Sequence, residues 1–255
     1  MRKTKTTVLA LASLISILAL WSPIKNSDDS DRPDPAFLST DLYFRLNKHV
    51  ISVPVVAVQD IAVSPNTTNP LPRFRSSGVF GSPRWFATRD YKSALLERAT
   101  DPGRPAEVTS VDLNFGYYGS YGESRISQEI CPKLSKDWSR MACANQLRNV
   151  LNNFPEYITL STGSGLARFR SHSFSGVPDL SVFNLLETMA PISRTAKMAC
   201  AKGERFCYAA ISVSEGLYAV WSPSCSNIMS LPCQNELAAQ GAEIQNFVRN
   251  ELLVL

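Results

Sequence analysis

Six cysteines, Cys131, Cys143, Cys200, Cys207, Cys225 and Cys233, all fall in the distal half of this 255-residue chain. Thiols at such spacings can be catalytic, bind metal or cross-link the chain, and each use implies a different protein. Zinc requires C-x-x-C spacing or histidine partners; that spacing is absent, and the only histidines are His49 and His172. A catalytic thiolate needs a nearby base and a reducing or protected setting. An even number of cysteines behind an export signal implies disulfides instead. Neighbours in sequence would close short loops. In "CAKGERFC" a turn centred on Gly203 and Glu204 sets Cys200 opposite Cys207. Sequence alone does not choose among the connectivities that six cysteines allow, so all six stand as candidate disulfide residues.

The export signal is "MRKTKTTVLALASLISILALW". Arg2, Lys3 and Lys5 precede an apolar run from Val8 to Trp21, the pattern of a secretory leader. The run is shorter than the roughly 20 residues a spanning helix needs. It also lacks an A-x-A cleavage site and ends on Trp21, which suits an uncleaved anchor. Residues 1–21 are therefore a signal peptide or a signal anchor. Either places the body outside the cytoplasm, on the periplasmic face of the inner membrane or free in the periplasm. No cysteine follows the run directly, which excludes a lipoprotein anchor. Residues 22–40, "SPIKNSDDSDRPDPAFLST", read as a polar linker. Their aspartates lack the turn glycine and closing glutamate of a calcium loop.

The net charge of +4 comes mostly from the leader, whose three basic residues are unmatched by acids. The remainder is close to neutral, which argues against nucleic acid as a partner. Residues 41–255 read as one α+β domain. Strands are predicted at 43–46 and 49–63, with Pro54 marking an edge or a split. Six prolines between Ser64 and Pro105 predict a long loop with a short helical patch at "YKSALLERA". A strand follows with Val111, Leu113 and Phe115 on one face. A helix is predicted from about Lys136 to Phe154, with Cys143, Leu147, Val150, Leu151 and Phe154 as its stripe and Pro155 as its stop. "EYITLST" and "LARFRSH" are strands, and "PDLSVFNLLETM" is a helix. The cysteine-bearing meander occupies 194–201, 206–213 and 217–221. A last helix from about Pro232 carries Leu237, Gly241, Ile244, Val248 and Leu252 on one face. Without regular βαβ alternation, the fold class is α+β, with a mainly antiparallel sheet packed by amphipathic helices.

No glycine-rich phosphate loop follows a strand, so no nucleotide is expected, and neither cofactor nor metal is called for. Ser164, between glycines in "STGSGLARFRSH", with His172 eight residues on, is the nearest approach to a nucleophile and base. Its frame is that of a turn and not of the G-x-S-x-G elbow. Glu123 and Glu129 are the nearest carboxylate pair and carry no local signature. "NFGYYGSYGE" sets Tyr117, Tyr118 and Tyr121 among glycines. These rings either cover the core at a strand end or present a recognition surface, and they are the candidate partner-binding residues.

"YFRLNKHVISVP" near the start, and a hairpin leading into "ELAAQGAEIQNFVRNELL" at the end, resemble exported, membrane-anchored immunity proteins encoded beside type VI secretion effectors in proteobacteria. In that group a terminal hairpin leads into a helix of pattern L-x-x-W-x-x-I. Leu237 and Ile244 fall in that pattern, while Gln240 stands where the tryptophan would be. The resemblance implies a non-enzymatic, envelope-facing domain that binds a protein, a toxic effector, and neutralises it by occlusion. Two other roles stay open on the sequence: an envelope assembly or structural subunit, and an exported hydrolase using Ser164 and His172.

Overall fold

The structure, a computed structural model, describes residues 34–62, 97–116, 128–151, 154–162, 195–200, 207–223, 225 and 230–254. The predicted leader, most of the linker and most of the proline-rich loop lie outside these residues. So do the strand at "LARFRSH" and the helix at "PDLSVFNLLETM". Among the described residues no helix is long and apolar enough to cross a membrane.

The folded body starts earlier than composition implies. A one-turn helix, α1 (Pro35–Leu38), is capped by the Asp34 carboxylate, which accepts from the Ala36 amide at 2.9 Å. It buries Phe37 and Leu38, so the end of the predicted 22–40 linker belongs to the core. Two antiparallel strands follow, β1 (Asp41–Leu46) and β2 (His49–Pro54). Leu42, Phe44 and Leu46 alternate inward along β1, each 0% exposed, as a half-buried strand requires. The two-residue turn is possible because Asn47 adopts a φ of 58°, a conformation asparagine tolerates better than most side chains.

Pro54 has no amide to donate, and β2 stops there. A buried 3-10 turn at Val55–Ala57 carries the chain into β3 (Val58–Ala62), which belongs to a different sheet. The proline therefore splits the predicted 49–63 strand between two sheets. The first sheet has the order β10-β2-β1-β4. Here β4 (Ala106–Glu107) runs parallel to β1, and β10 (Leu253–Val254) antiparallel to β2. The second sheet has the order β3-β5-β6-β9-β8-β7, antiparallel throughout. Its strands are β5 (Ser110–Asn114), β6 (Tyr157–Ser161), β7 (Lys197–Cys200), β8 (Cys207–Ser214) and β9 (Leu217–Trp221). The architecture is α+β with two mainly antiparallel sheets and packed helices.

The helix predicted over 136–154 is two short ones, α2 (Asp137–Cys143) and α3 (Leu147–Val150). Asn145 breaks it with a φ of 57°. The Gln146 amide donates to Met141 O at 2.7 Å and the Asn145 amide to Ala142 O at 3.0 Å. Those two bonds form a Schellman termination, with asparagine in the place glycine usually takes. Val150 consequently leaves the expected stripe and is 59% exposed, while Cys143, Leu147 and Phe154 stay buried.

The last helix, α4 (Leu231–Phe247), is capped by Ser230, whose hydroxyl oxygen accepts from the Cys233 amide at 3.3 Å. Leu237, Ile244, Val248 and Leu252 are buried as predicted. Gly241 lets the helix approach the second sheet. A Cβ there would lie 2.8 Å from the Ala196 Cβ and 3.2 Å from Ile211 Cδ1. A π-helical turn (Val248–Leu252) then delivers β10 to the first sheet. One continuous core includes residues from both sheets and the helices.

Disulfides join Cys131 to Cys143 and Cys225 to Cys233, each with Cα atoms 5.5 Å apart. Cys207 is also disulfide-bonded, and backbone register sets Cys200 opposite it. The first bridge fixes the segment before α2 to the helix end. The second ties the chain beyond β9 to the first turn of α4.

Candidate functional site

A cleft of about 440 Å³ opens where α3, the start of β6, the end of β9 and α4 converge. Its lining is Arg148, Phe154, Pro155, Glu156, Tyr157, Ser222 and Gln240. Pro155 ends the α3 segment and turns the chain into β6, which places Phe154 inward and Tyr157 outward. Phe154 is 2% exposed and Tyr157 46%. Phe154 packs edge to face on Phe115 and Phe247, with ring centroids 5.3 and 4.9 Å apart. The apolar wall of the cleft is thus one face of a core cluster.

The charged groups of the cleft face each other: Arg148 Nη2 donates to Glu156 Oε2 at 3.2 Å. Gly116 makes room for Glu156. A Cβ on that glycine would fall 2.7 Å from Glu156 Oε1, and the Phe115 amide fixes the strand start by donating to Glu156 O at 2.7 Å. Gln240 is 3% exposed, and its Oε1 accepts from the Trp221 indole at 3.0 Å. An indole nitrogen can only donate, so this bond fixes the amide orientation and leaves Nε2 as the donor end, 3.4 Å from Glu236 Oε1. The Ser222 hydroxyl donates to Cys207 O at 3.2 Å. Such a set of groups recognises a ligand by shape, one ion pair and fixed dipoles.

Two polar clusters lie elsewhere. At the start of α2, Lys136 Nζ donates to Ser52 O at 2.8 Å, with Glu251 O at 3.4 Å. Burial pushes the Lys136 amine down from its usual value, and the charges of Asp41 and Glu251 partly oppose this. Asp41 accepts from the Ser135 hydroxyl at 2.6 Å, while its other oxygen is buried without a hydrogen bond. The lysine thereby ties α2, β2 and the C-terminal turn together. At the hairpin tips, Lys48 pairs with Glu215, and His49 Nε2 lies 3.0 Å from Glu215 O. That hydrogen bond from Lys48, together with its charge, holds the Glu215 carboxyl below its ordinary value.

Tyr117, Tyr118 and Tyr121 lie outside the described residues, as do Ser164, His172 and Glu123. Glu129 is exposed before the Cys131 turn. His49 serves the hairpin contact just described. Among the described residues no group of three or more His, Cys, Asp and Glu side chains could hold a metal ion. Arg148, Glu156, Tyr157 and Ser222 carried no sequence signal, and Gln240 stood out only as a departure from a tryptophan pattern. No family model matches the chain, and neither a curated protein nor a solved structure matches it.

Proposed function

We propose that this chain is an exported, envelope-facing domain that binds a protein partner without catalysing a reaction. Its particular role on this reading is immunity, in which a toxic effector is neutralised by occlusion. The N-terminal segment would hold the body at the periplasmic face of the inner membrane or release it into the periplasm. The observation that carries the reading is the cleft: an exposed tyrosine and an arginine beside buried aromatic packing. Tyrosine and arginine on a rigid, well-packed base are the residues that dominate protein interfaces. Disulfides on either side of the cleft limit what the frame loses on binding. Tyr117, Tyr118 and Tyr121 follow in sequence directly from Gly116, the residue on which Glu156 rests, and they belong to the proposed binding surface.

The test is partner capture from envelope fractions by the full chain and its variants. Tyr157→Ala and Arg148→Ala should each weaken capture about tenfold or more. Glu107→Ala, at an exposed position on β4, should leave it unchanged. Capture that ignores both cleft variants would sink the reading.

A further inference from the structure

We infer that the cleft accepts an uncharged, extended peptide segment of the partner, with a main-chain amide set between Arg148 and Glu156 and an apolar side chain against Phe154, Pro155 and Tyr157. This deepens the protein-binding reading above and rests on it.

Charge balance comes first. Arg148 and Glu156 are the only ionisable groups of full charge lining the cleft, and they sit 3.2 Å apart. A ligand of either sign would be drawn to one and repelled by the other. A neutral group that both donates and accepts meets no such opposition, and a peptide amide is that group: its C=O suits a guanidinium and its N–H a carboxylate. Both partners have capacity to spare. The one hydrogen bond printed on this pair uses Arg148 Nη2 and Glu156 Oε2, while a guanidinium has five N–H groups and a carboxylate two oxygens. The arginine side chain is 54% exposed and the glutamate 35%, so a ligand can reach both. Glu156 is held in place because it lies on Gly116, which keeps the acceptor beside the donor.

The walls supply the rest. Phe154 and Pro155 form an apolar surface, and the Tyr157 ring stands exposed beside them. Such a surface takes an apolar or aromatic side chain. The Gln240 amide, oriented by the Trp221 indole, presents its donor end and suits a second carbonyl of the same extended segment.

Trp221 also supplies the readout, because its indole N–H bonds a residue of the cleft. The isotope-labelled full chain is titrated with N-acetyl-phenylalanine amide, which is neutral, with N-acetyl-phenylalanine, an anion, and with phenylalanine amide, a cation. The Trp221 indole resonance is assigned by its loss in Trp221→Phe. The neutral probe should shift that resonance saturably, and both charged probes should bind roughly tenfold more weakly. Glu156→Gln should then favour the anion, and Arg148→Gln the cation, with neutral binding retained. No saturable shift from any probe would overturn the assignment. So would an anion that binds the wild type better than the neutral probe, or variants that leave the charge preference unmoved. If Tyr157→Ala abolishes partner capture while no probe binds, the peptide assignment fails and the protein-binding reading stands. Capture indifferent to the cleft variants overturns both.

Discussion

Two regions of this molecule join segments far apart in sequence, and they do so by opposite means. Beside the cleft, Phe115, Trp138, Phe154 and Phe247 meet edge to face, with centroids from 4.9 Å (Phe154 to Phe247) to 5.8 Å (Phe115 to Trp138). All four are 5% exposed or less. At the hairpin tips, the β1–β2 turn of one sheet meets the β8–β9 turn of the other through polar groups: Asn47, Lys48 and His49 against Glu215 and Gly216. Rings that leave water gain from burial and from their edge-to-face geometry. Exposed charges gain little, because water and salt screen them. The aromatic cluster should therefore set stability, and the tips should set how the two turns sit.

The sharpest way to break the contrast is at Phe247, which touches each of the other three rings. Phe247→Ala should cost about 3–5 kcal/mol, the usual range for a buried phenylalanine. A urea midpoint measured with the disulfides intact reads this directly. Because Phe154 rests on Phe247 and also lines the cleft, partner capture should weaken alongside stability. A loss below about 1 kcal/mol would mean that the four rings do not act as one packed unit.

At the tips the largest effect should come from backbone conformation. Gly216 has a φ of 73°, and a Cβ there would lie 2.7 Å from Asn47 Nδ2. The asparagine amide can swing away, but the left-handed backbone stays unfavourable for alanine. Gly216→Ala should cost about 1–2 kcal/mol, less than the aromatic truncation. An equal or greater loss would reverse the ranking of the two regions.

The same contrast explains what could be read from sequence. Apolar periodicity showed the core faces: Val111 and Leu113 of β5, and the stripe of α4 from Leu237 to Leu252, bury as predicted. Pro54 was legible because proline lacks an amide, although the chain's passage between sheets was not. The predicted single helix over 136–154 failed at Asn145, where one left-handed residue outweighs a continuous apolar stripe. Phe37 and Leu38 were lost in a polar context, since a one-turn helix leaves no periodicity to detect. The cleft was the least legible part. Arg148, Glu156, Ser222 and Gln240 come from separate stretches, and only tertiary packing brings them together. Its clearest local trace is Gly116, and a glycine in an aromatic, glycine-rich run gives no hint that it lies against a glutamate forty residues on.

The smallest effect should come from the exposed pair, and pH rather than magnitude identifies it. Lys48 holds the Glu215 carboxyl below its ordinary 4.5, through a hydrogen bond and through charge, and His49 adds in the same direction. A carboxylate with a depressed folded value contributes stability above its unfolded value and loses it as pH falls through the folded one. Glu215→Gln removes that dependence. At neutral pH the two proteins should be nearly indistinguishable, since the paired side chains are 54% and 67% exposed. The small advantage of the wild type should close as pH drops from the ordinary carboxyl value towards about 3. Urea midpoints of both proteins across that window provide the measurement, repeated at high salt, where screening should flatten the difference. A gap that widens on acidification would mean that ionised Glu215 opposes folding. The tips would then be held by the Asn47 and Gly216 backbone alone, without help from charge.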